Sequence, residues 1–200
     1  MNYLAHAYLS FTHPGILTGN MISDFVKGRK KFDLPPDIQK GIALHRFIDE
    51  WTDQHAVTKE LKNIFKPRYG LYSAAIMDVI YDHFLATDLD HFTTETLEIF
   101  STHTYDQLEN FTDHFPERFA RMFSFMQEQN WLFHYHSFYG VEKSLGGLKK
   151  RALYLDDIHP AFELFQQEYK TIKAGYSIFF PDLYQIAYEE FTRLTGRENG

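Results

Sequence analysis

The sequence predicts an all-α fold, a single-domain helical bundle, on three observations. Apolar residues recur three and four apart through most of the chain, the spacing that gathers them on one helix face. Prolines and glycines cut those stretches into helix-length pieces. No stretch alternates apolar and polar residues convincingly enough to read as a strand. At 200 residues with 44% hydrophobic content, the chain can bury one core and is too short for two full domains, so residues 1–200 are expected to form one unit. Aromatic residues make up 18% of the chain and are spread along it, so that core should be aromatic.

Taken in order, Asn2 can cap a short helix from Tyr3 to Ser10, with Leu4, Ala5, Tyr8 and Leu9 apolar and His6 among them. Pro14 suits the first turn of a second helix, which is expected to run through Asn20, Asp24 and Lys27 and stop at Gly28. Pro35-Pro36-Asp37 breaks the chain and starts the helix around which the rest is organised. Its face carries Ile38, Ile42, His45, Asp49 and Thr52, flanked by Arg46, Glu50 and Asp53. A shorter piece, Thr58 to Phe65, is expected to end before Pro67 and Gly70. From Leu71 the stripe of Ile76, Val79, Ile80 and Phe84 has His83 at its edge and Asp78 and Asp82 on the neighbouring face. Further helices are expected over Asp90 to His103, Tyr105 to Phe115 and from Pro116, where Phe119, Met122, Phe123 and Met126 share a face, an aromatic and methionine stripe typical of a core. His134 and His136 are two apart and face opposite ways on a helix, so they read as packing or surface residues. Gly146-Gly147 marks a bend, and Pro160 to Lys173 and Pro181 to Leu194 close the bundle.

Composition narrows the chemistry. With no cysteine, disulfides, thiolate ligands and a cysteine nucleophile are excluded, and any metal must be held by His, Asp or Glu. A net charge of −7 argues against generic nucleic-acid binding, which needs clustered cations to neutralise phosphates. The first residues lack a basic region and a long apolar run, so neither a signal peptide nor a membrane span is expected, and a cytoplasmic protein is the simplest inference. Basic residues nevertheless cluster at Lys27-Gly28-Arg29-Lys30-Lys31 and Lys149-Lys150-Arg151, with Lys62, Lys66 and Arg68 as a looser third group. Facing one way, they would make a positive patch for an acidic or phosphorylated partner. As separate solvated helix ends they would mean nothing further.

Ionisable groups also stand beside apolar stripes, where an unpaired charge costs several kcal/mol. Arg46 paired with Glu50 or Asp49, and His45 as a hydrogen-bonded core histidine, would account for the organising helix alone. The repetition of histidine with aspartate on separate helices points further. His6, Asp24, His45, Asp82 and His83 form a pool from which a bundle can build an internal metal site. Imidazole and carboxylate without thiolate suit Mn²⁺, Mg²⁺, Fe²⁺ or Zn²⁺. Such an ion acidifies water and clamps phosphoryl oxygens, which together suit hydrolysis of a phosphate ester. Asp49 is then the candidate for orienting a ligand or the attacking water, while Arg46, Lys27 and Asn20 would hold phosphate.

Several motifs, in order, resemble one family. Met1-Asn2-Tyr3-Leu4-Ala5-His6, Gly19-Asn20, Asp24-Phe25-Val26-Lys27-Gly28, Gly41-Ile42 with His45-Arg46 and Ile48-Asp49 through Thr52-Asp53, and Asp82-His83-Phe84-Leu85 are similar to the motifs of the acyl-carrier-protein phosphodiesterases. The likeness is dense to about Leu85 and continues more weakly, through Trp131-Leu132, to the C-terminus. It implies an α-helical fold related to the HD-domain phosphohydrolases and a manganese-dependent reaction. That reaction removes 4′-phosphopantetheine from the serine of holo acyl carrier protein to give the apo form. Arg46 stands where the usual HD helix has its second metal ligand, and Asp82-His83 is in reversed order, so the missing carboxylate must come from elsewhere, Asp24 or Asp82. Acyl carrier proteins are acidic, so the clusters near Lys27 and Lys149 are candidates to receive one. Two other functions fit the same residues: hydrolysis of a nucleotide or other small phosphoester, and binding of a phosphopantetheinylated carrier without turnover.

Overall fold

The computed structural model describes residues 1–151 and 157–196, apart from the side chains of Lys150 and Arg151. The regular elements among the described residues are all helices, with no strand. The helices are α1 (Tyr3–Tyr8), α2 (Pro14–Ile22), α3 (Pro36–Gln54), α4 (Ala56–Tyr69), α5 (Tyr72–Ala86), α6 (Thr94–Glu109), α7 (Glu117–Glu128), α8 (Trp131–His134), α9 (Phe138–Arg151), α10 (His159–Gln167) and α11 (Tyr169–Thr195). Short 3₁₀ turns at Ser23–Phe25, Gly28–Asp33 and Thr112–His114 join some of them. None of the described helices is long and apolar enough to cross a membrane.

The element at the centre is α5. Every residue from Val79 to Ala86 is buried, because α1, α4, α9 and α11 pack around it. Its Tyr81 stacks on Phe179 of α11 with ring centroids 4.5 Å apart, and the Tyr81 hydroxyl meets Thr58 of α4 at 3.1 Å. A side chain of this size contributes ~1.5–3 kcal/mol when fully buried, so such aromatic seams supply much of the fold's stability.

The most intimate contact is between α2 and α3, and two glycines explain it. A Cβ on Gly19 would strike the Ile38 carbonyl oxygen, and one on Gly41 would strike the Ile16 carbonyl oxygen. With hydrogen alone at both positions, the two backbones touch. The next turn of each helix, at Asn20 and His45, is thereby held in register.

Several boundaries differ from the sequence-based expectation. The side chain of Asn2 does not cap α1. Asp82 of α5 does so from across the core, accepting from the backbone N–H groups of Asn2, Leu4 and Ala5 at 3.2, 2.7 and 3.3 Å. Helix α2 ends at Ile22 and tightens into 3₁₀ geometry, so Asn20, Asp24 and Lys27 share no continuous helical face. Helix α4 runs through Pro67 and stops at Gly70, whose positive φ of 53° ends it while its N–H bonds the Lys66 carbonyl. A proline in the last turn forfeits one internal bond and leaves the remaining ones intact. Helix α6 begins at a capping box of Thr93 and Thr96 and absorbs Tyr105, leaving only the Thr112–His114 turn where a separate helix was expected. Gly146 and Gly147 lie inside α9, and Pro181 lies inside α11.

Candidate metal centre

Three elements converge near the N-terminal end of the fold. His6 comes from α1, His45 and Asp49 from successive turns of α3, and Asp24 from the 3₁₀ turn after α2. His6 Nε2 lies 3.1 Å from Asp49 Oδ1, and His45 Nε2 lies 3.1 Å from Asp49 Oδ2 and 3.3 Å from Asp24 Oδ1. The two imidazoles stack with centroids 3.9 Å apart. One ligand atom each from His6, His45 and Asp49 all fall within 4.8 Å of one another. Both histidines are buried, whereas the Asp24 carboxylate is 71% exposed and forms the mouth.

Asn20 sets the orientation of this group. Its backbone carbonyl receives the Nδ1–H of His45 at 2.8 Å, and its side-chain amide donates to the His6 carbonyl and the Ser10 hydroxyl at 2.9 and 3.1 Å. One residue thus ties α1, α2 and α3 together. Because a carbonyl can only accept, the proton of a neutral His45 must sit on Nδ1. Its Nε2 lone pair then faces two carboxylates and has no hydrogen-bond partner. That arrangement is repulsive unless a proton or a metal ion lies between them.

The electrostatics express the same requirement. Burial opposes charge on His45, but the facing carboxylates of Asp24 and Asp49 prevail and raise it to about 9. Burial and the neighbouring His45 charge lower His6 to about 4, so only one of the stacked rings carries charge. Burial alone would raise Asp49, but the Met1 ammonium and both histidines hold it well below the usual carboxylate range. Asp24 is lowered chiefly by its bond to His45. The Met1 ammonium, 3.3 Å from Asp49 and 2.9 Å from Asp78, rises to about 11 as these carboxylates outweigh its burial.

The residues fit a divalent ion. Two imidazoles and two carboxylates supply nitrogen and oxygen donors, and the orphaned Nε2 of His45 points into the group. The Nδ1–H bond to a backbone carbonyl is the partner that a metal-ligating histidine ordinarily has on its other nitrogen.

Other expected site residues lie elsewhere. Asp82, expected as a ligand, is fully buried with its carboxylate turned to the first turn of α1, and burial raises it to about 7 against the Met1 ammonium and its three N–H donors. His83, also expected as a ligand, is held by the Tyr135 carbonyl at 2.8 Å and the Tyr169 hydroxyl at 3.2 Å, amid Phe84, Phe138 and Phe165. Adjacent residues on a helix point about 100° apart, so Asp82 faces α1 and His83 faces α8 and α11. Asn20, expected to hold phosphate, is fully buried and serves the helix junction instead. Arg46 is exposed, donates to the Val26 carbonyl at 3.4 Å, and lines a groove of about 260 Å³ with Lys31, Gln39 and Glu50. Lys27 is exposed just beyond Asp24.

Of the basic clusters, Lys27, Arg29 and Lys30 are exposed and Lys31 half-buried around the Gly28–Asp33 turn. Lys62 is paired with Asp53 at 3.0 Å. In the Lys149-Lys150-Arg151 cluster, the side chains of the last two lie outside the described residues. Sequence reasoning missed Ser10, the Met1 ammonium and the Gly19–Gly41 crossing. The two glycines on consecutive helices were the available signal for that crossing.

Fold and site together define a helical protein with a His/Asp donor cluster in its interior, the class to which metal-dependent hydrolases built on bundles belong. Comparison with known proteins narrows the class. The family described as acyl carrier protein phosphodiesterase matches residues 1–183. An acyl carrier protein phosphodiesterase of Yersinia pestis is 31% identical over 94% of this chain and 97% of its own length. Those of Photorhabdus laumondii and Klebsiella pneumoniae strain 342 are 30% and 28% identical over the same share of this chain, and 95% and 97% of theirs. No solved structure matches the chain. The chain belongs to the acyl carrier protein phosphodiesterase family.

Proposed function

We propose that this protein is a metal-dependent phosphodiesterase that hydrolyses 4′-phosphopantetheine from the serine of holo acyl carrier protein, giving the apo form. The observation that carries the reading is the convergence of His6, His45 and Asp49, with Asp24 3.3 Å from the orphaned Nε2 of His45, in a chain of this family. His6, His45, Asp49 and Asp24 would hold the ion, with Mn²⁺ first and Mg²⁺ or Fe²⁺ as substitutes. When bound, the ion supplies positive charge for a phosphoryl oxygen and acidifies water.

The chain's own groups do the rest. Asn20 fixes the His45 ring, so that Nε2 stays aimed at the reacting position. Asp49 bridges both imidazoles, so it would orient them as ligands and can accept a hydrogen bond from the attacking water. Arg46 and Lys27, one turn and three residues from candidate ligands, place cations where the phosphate's charge accumulates. In the net reaction the water oxygen joins phosphorus, the bond from phosphorus to the serine oxygen breaks, and that oxygen takes a proton.

The exposed cations of the Gly28–Asp33 turn and the groove beside Arg46 support an acidic carrier as the partner, because the chain as a whole carries −7 and would otherwise repel one. A single domain over residues 1–200, kinship with HD-domain hydrolases and a cytoplasmic setting belong to the same reading. The test is to incubate holo acyl carrier protein with the enzyme and Mn²⁺ and weigh the carrier by mass spectrometry. Loss of the arm's mass, abolished by chelator and by His45→Ala, is the expected result. Cleavage of small phosphoesters with an untouched carrier would transfer the site to another substrate, and a stable complex with an intact arm would make it a binder.

A further inference from the structure

A second cleft, of about 390 Å³, opens between the segment that follows Asp24 and the start of α7. One wall is Phe25, Val26 and Leu34, and the other is Phe115 and Pro116. Its aromatic lining is immobilised from behind: Phe25 lies 5.4 Å from Phe119, and Phe115 lies 4.7 and 5.2 Å from Phe119 and Phe123. The rim is polar and mixed in sign, with Lys30 and His114 against Asp33, Asp113 and Glu117. The open cleft has room for a small organic group, with packed aromatic and aliphatic side chains in one half of its lining and ionisable side chains in the other.

Its position gives it meaning. Phe25 directly follows Asp24, whose carboxylate is 3.3 Å from His45 Nε2, so the wall begins one residue from the candidate metal centre. The Val26 carbonyl, also in the wall, is the acceptor for Arg46. The segment that carries Asp24 to His45 and accepts from Arg46 therefore continues directly into the cleft wall. The two grooves beyond it differ in kind. The one beside Arg46 presents Lys31 and Arg46, suited to an acidic surface, whereas three carboxylates on the rim of the second would repel one. Those carboxylates do suit the N–H and O–H donors of a neutral chain of amides, with Lys30 and His114 placed to donate to its carbonyls.

We propose that the cleft between Phe25–Leu34 and Phe115–Glu117 binds the neutral pantetheine portion of the leaving phosphopantetheine, separately from the surface that receives the carrier. The proposal rests on the phosphodiesterase reading above and assigns the half of the substrate that the metal centre does not touch. Leu34 lines the cleft in extended backbone and takes no part in the His/Asp cluster, so a larger side chain there fills the cleft without disturbing the chemistry.

The test measures kcat and KM on holo carrier protein with Mn²⁺, and inhibition by free, unphosphorylated pantetheine. Leu34→Trp should raise KM about tenfold and weaken pantetheine inhibition by the same factor, with kcat within about twofold of the parent. Glu117→Trp, from the opposite wall, should do the same, which guards against a folding defect in either variant. Unchanged KM in both, or no pantetheine inhibition of the parent enzyme, would overturn the assignment. Should the parent release no arm at all, the activity reading fails by itself. Saturation-transfer NMR of pantetheine with the parent and Leu34→Trp then decides the cleft alone: binding lost in the variant supports it, and no binding to the parent refutes it.

Discussion

His45 on α3 and His83 on α5 begin alike. Each stands at the edge of an apolar stripe, is buried, and directs Nδ1 to a backbone carbonyl 2.8 Å away. They part at the other nitrogen. His83 Nε2 meets the Tyr169 hydroxyl within a cage of aromatic rings, so its hydrogen bonding is complete and nothing further is required of it. His45 Nε2 faces two carboxylates with its lone pair, and only added positive charge resolves the conflict. The neighbouring carboxylates divide in the same way: Asp82 has three N–H donors, while Asp49 bridges two histidines and an ammonium. Residue type and burial therefore do not tell these two histidines apart. The state of the second nitrogen does.

The sharpest break of the comparison is by truncation. His45→Ala and Asp24→Ala should each lower release of the arm by about a thousandfold or more, with the helical circular-dichroism signal intact. His83→Ala should instead lose stability and keep its turnover per folded molecule. Normal turnover in both site variants would remove the assigned centre.

Next in size is the carboxylate on α5. Asp82→Ala strips the acceptor from three backbone N–H groups at the start of α1, and urea unfolding should show a loss of about 3 kcal/mol or more. Because α1 carries His6, activity should fall along with stability, and Asp82→Asn, which keeps an acceptor oxygen, should retain part of both. A loss under about 1 kcal/mol would mean that the cap contributes only as an ordinary hydrogen bond.

The comparison also has a pH signature. Burial holds His83 at about 4, below its ordinary 6.5. In that window the unfolded chain binds a proton that the folded one does not, so this contribution is fully present above 6.5 and is lost as pH falls toward 4. The loss is on the order of 3 kcal/mol. His83→Gln should show a shallower fall in stability across the same range, and an unchanged acid limb would contradict the assignment.

The smallest effect expected is from metal on stability. Saturating Mn²⁺, at about a hundred times its dissociation constant, should stabilise the folded protein by ~2.7 kcal/mol. Thermal melts should show the gain abolished in His45→Ala and retained in His83→Gln. An equal gain in both variants would place the ion elsewhere.

Much of this was legible in the chain. The stripe of Ile38, Ile42, His45, Asp49 and Thr52 is buried or half-buried as its spacing required, because helical period depends only on local geometry. Asp24 and His6 could be named as donors because each stands beside apolar residues with no sequence-local partner. The ends of elements were less legible. Pro67 and Pro181 were read as breaks, yet α4 and α11 run through them, since surrounding packing outweighs the loss of one backbone bond. The functions of Asp82 and Asn20 were not legible at all, for both act on backbone groups of another helix.

The sequence by itself determined the helical class, the family and the set of ionisable residues available to a site, because periodicity, motif order and residue type are properties of the chain alone. Only the tertiary structure decided which of those residues meet. The Gly19–Gly41 crossing sets Asn20 against His45, and the packing of α5 turns Asp82 and His83 to other neighbours. A hydrogen-bond requirement is written in a side chain, but whether it is met depends on groups brought from far along the chain, 86 residues away for His83 and Tyr169.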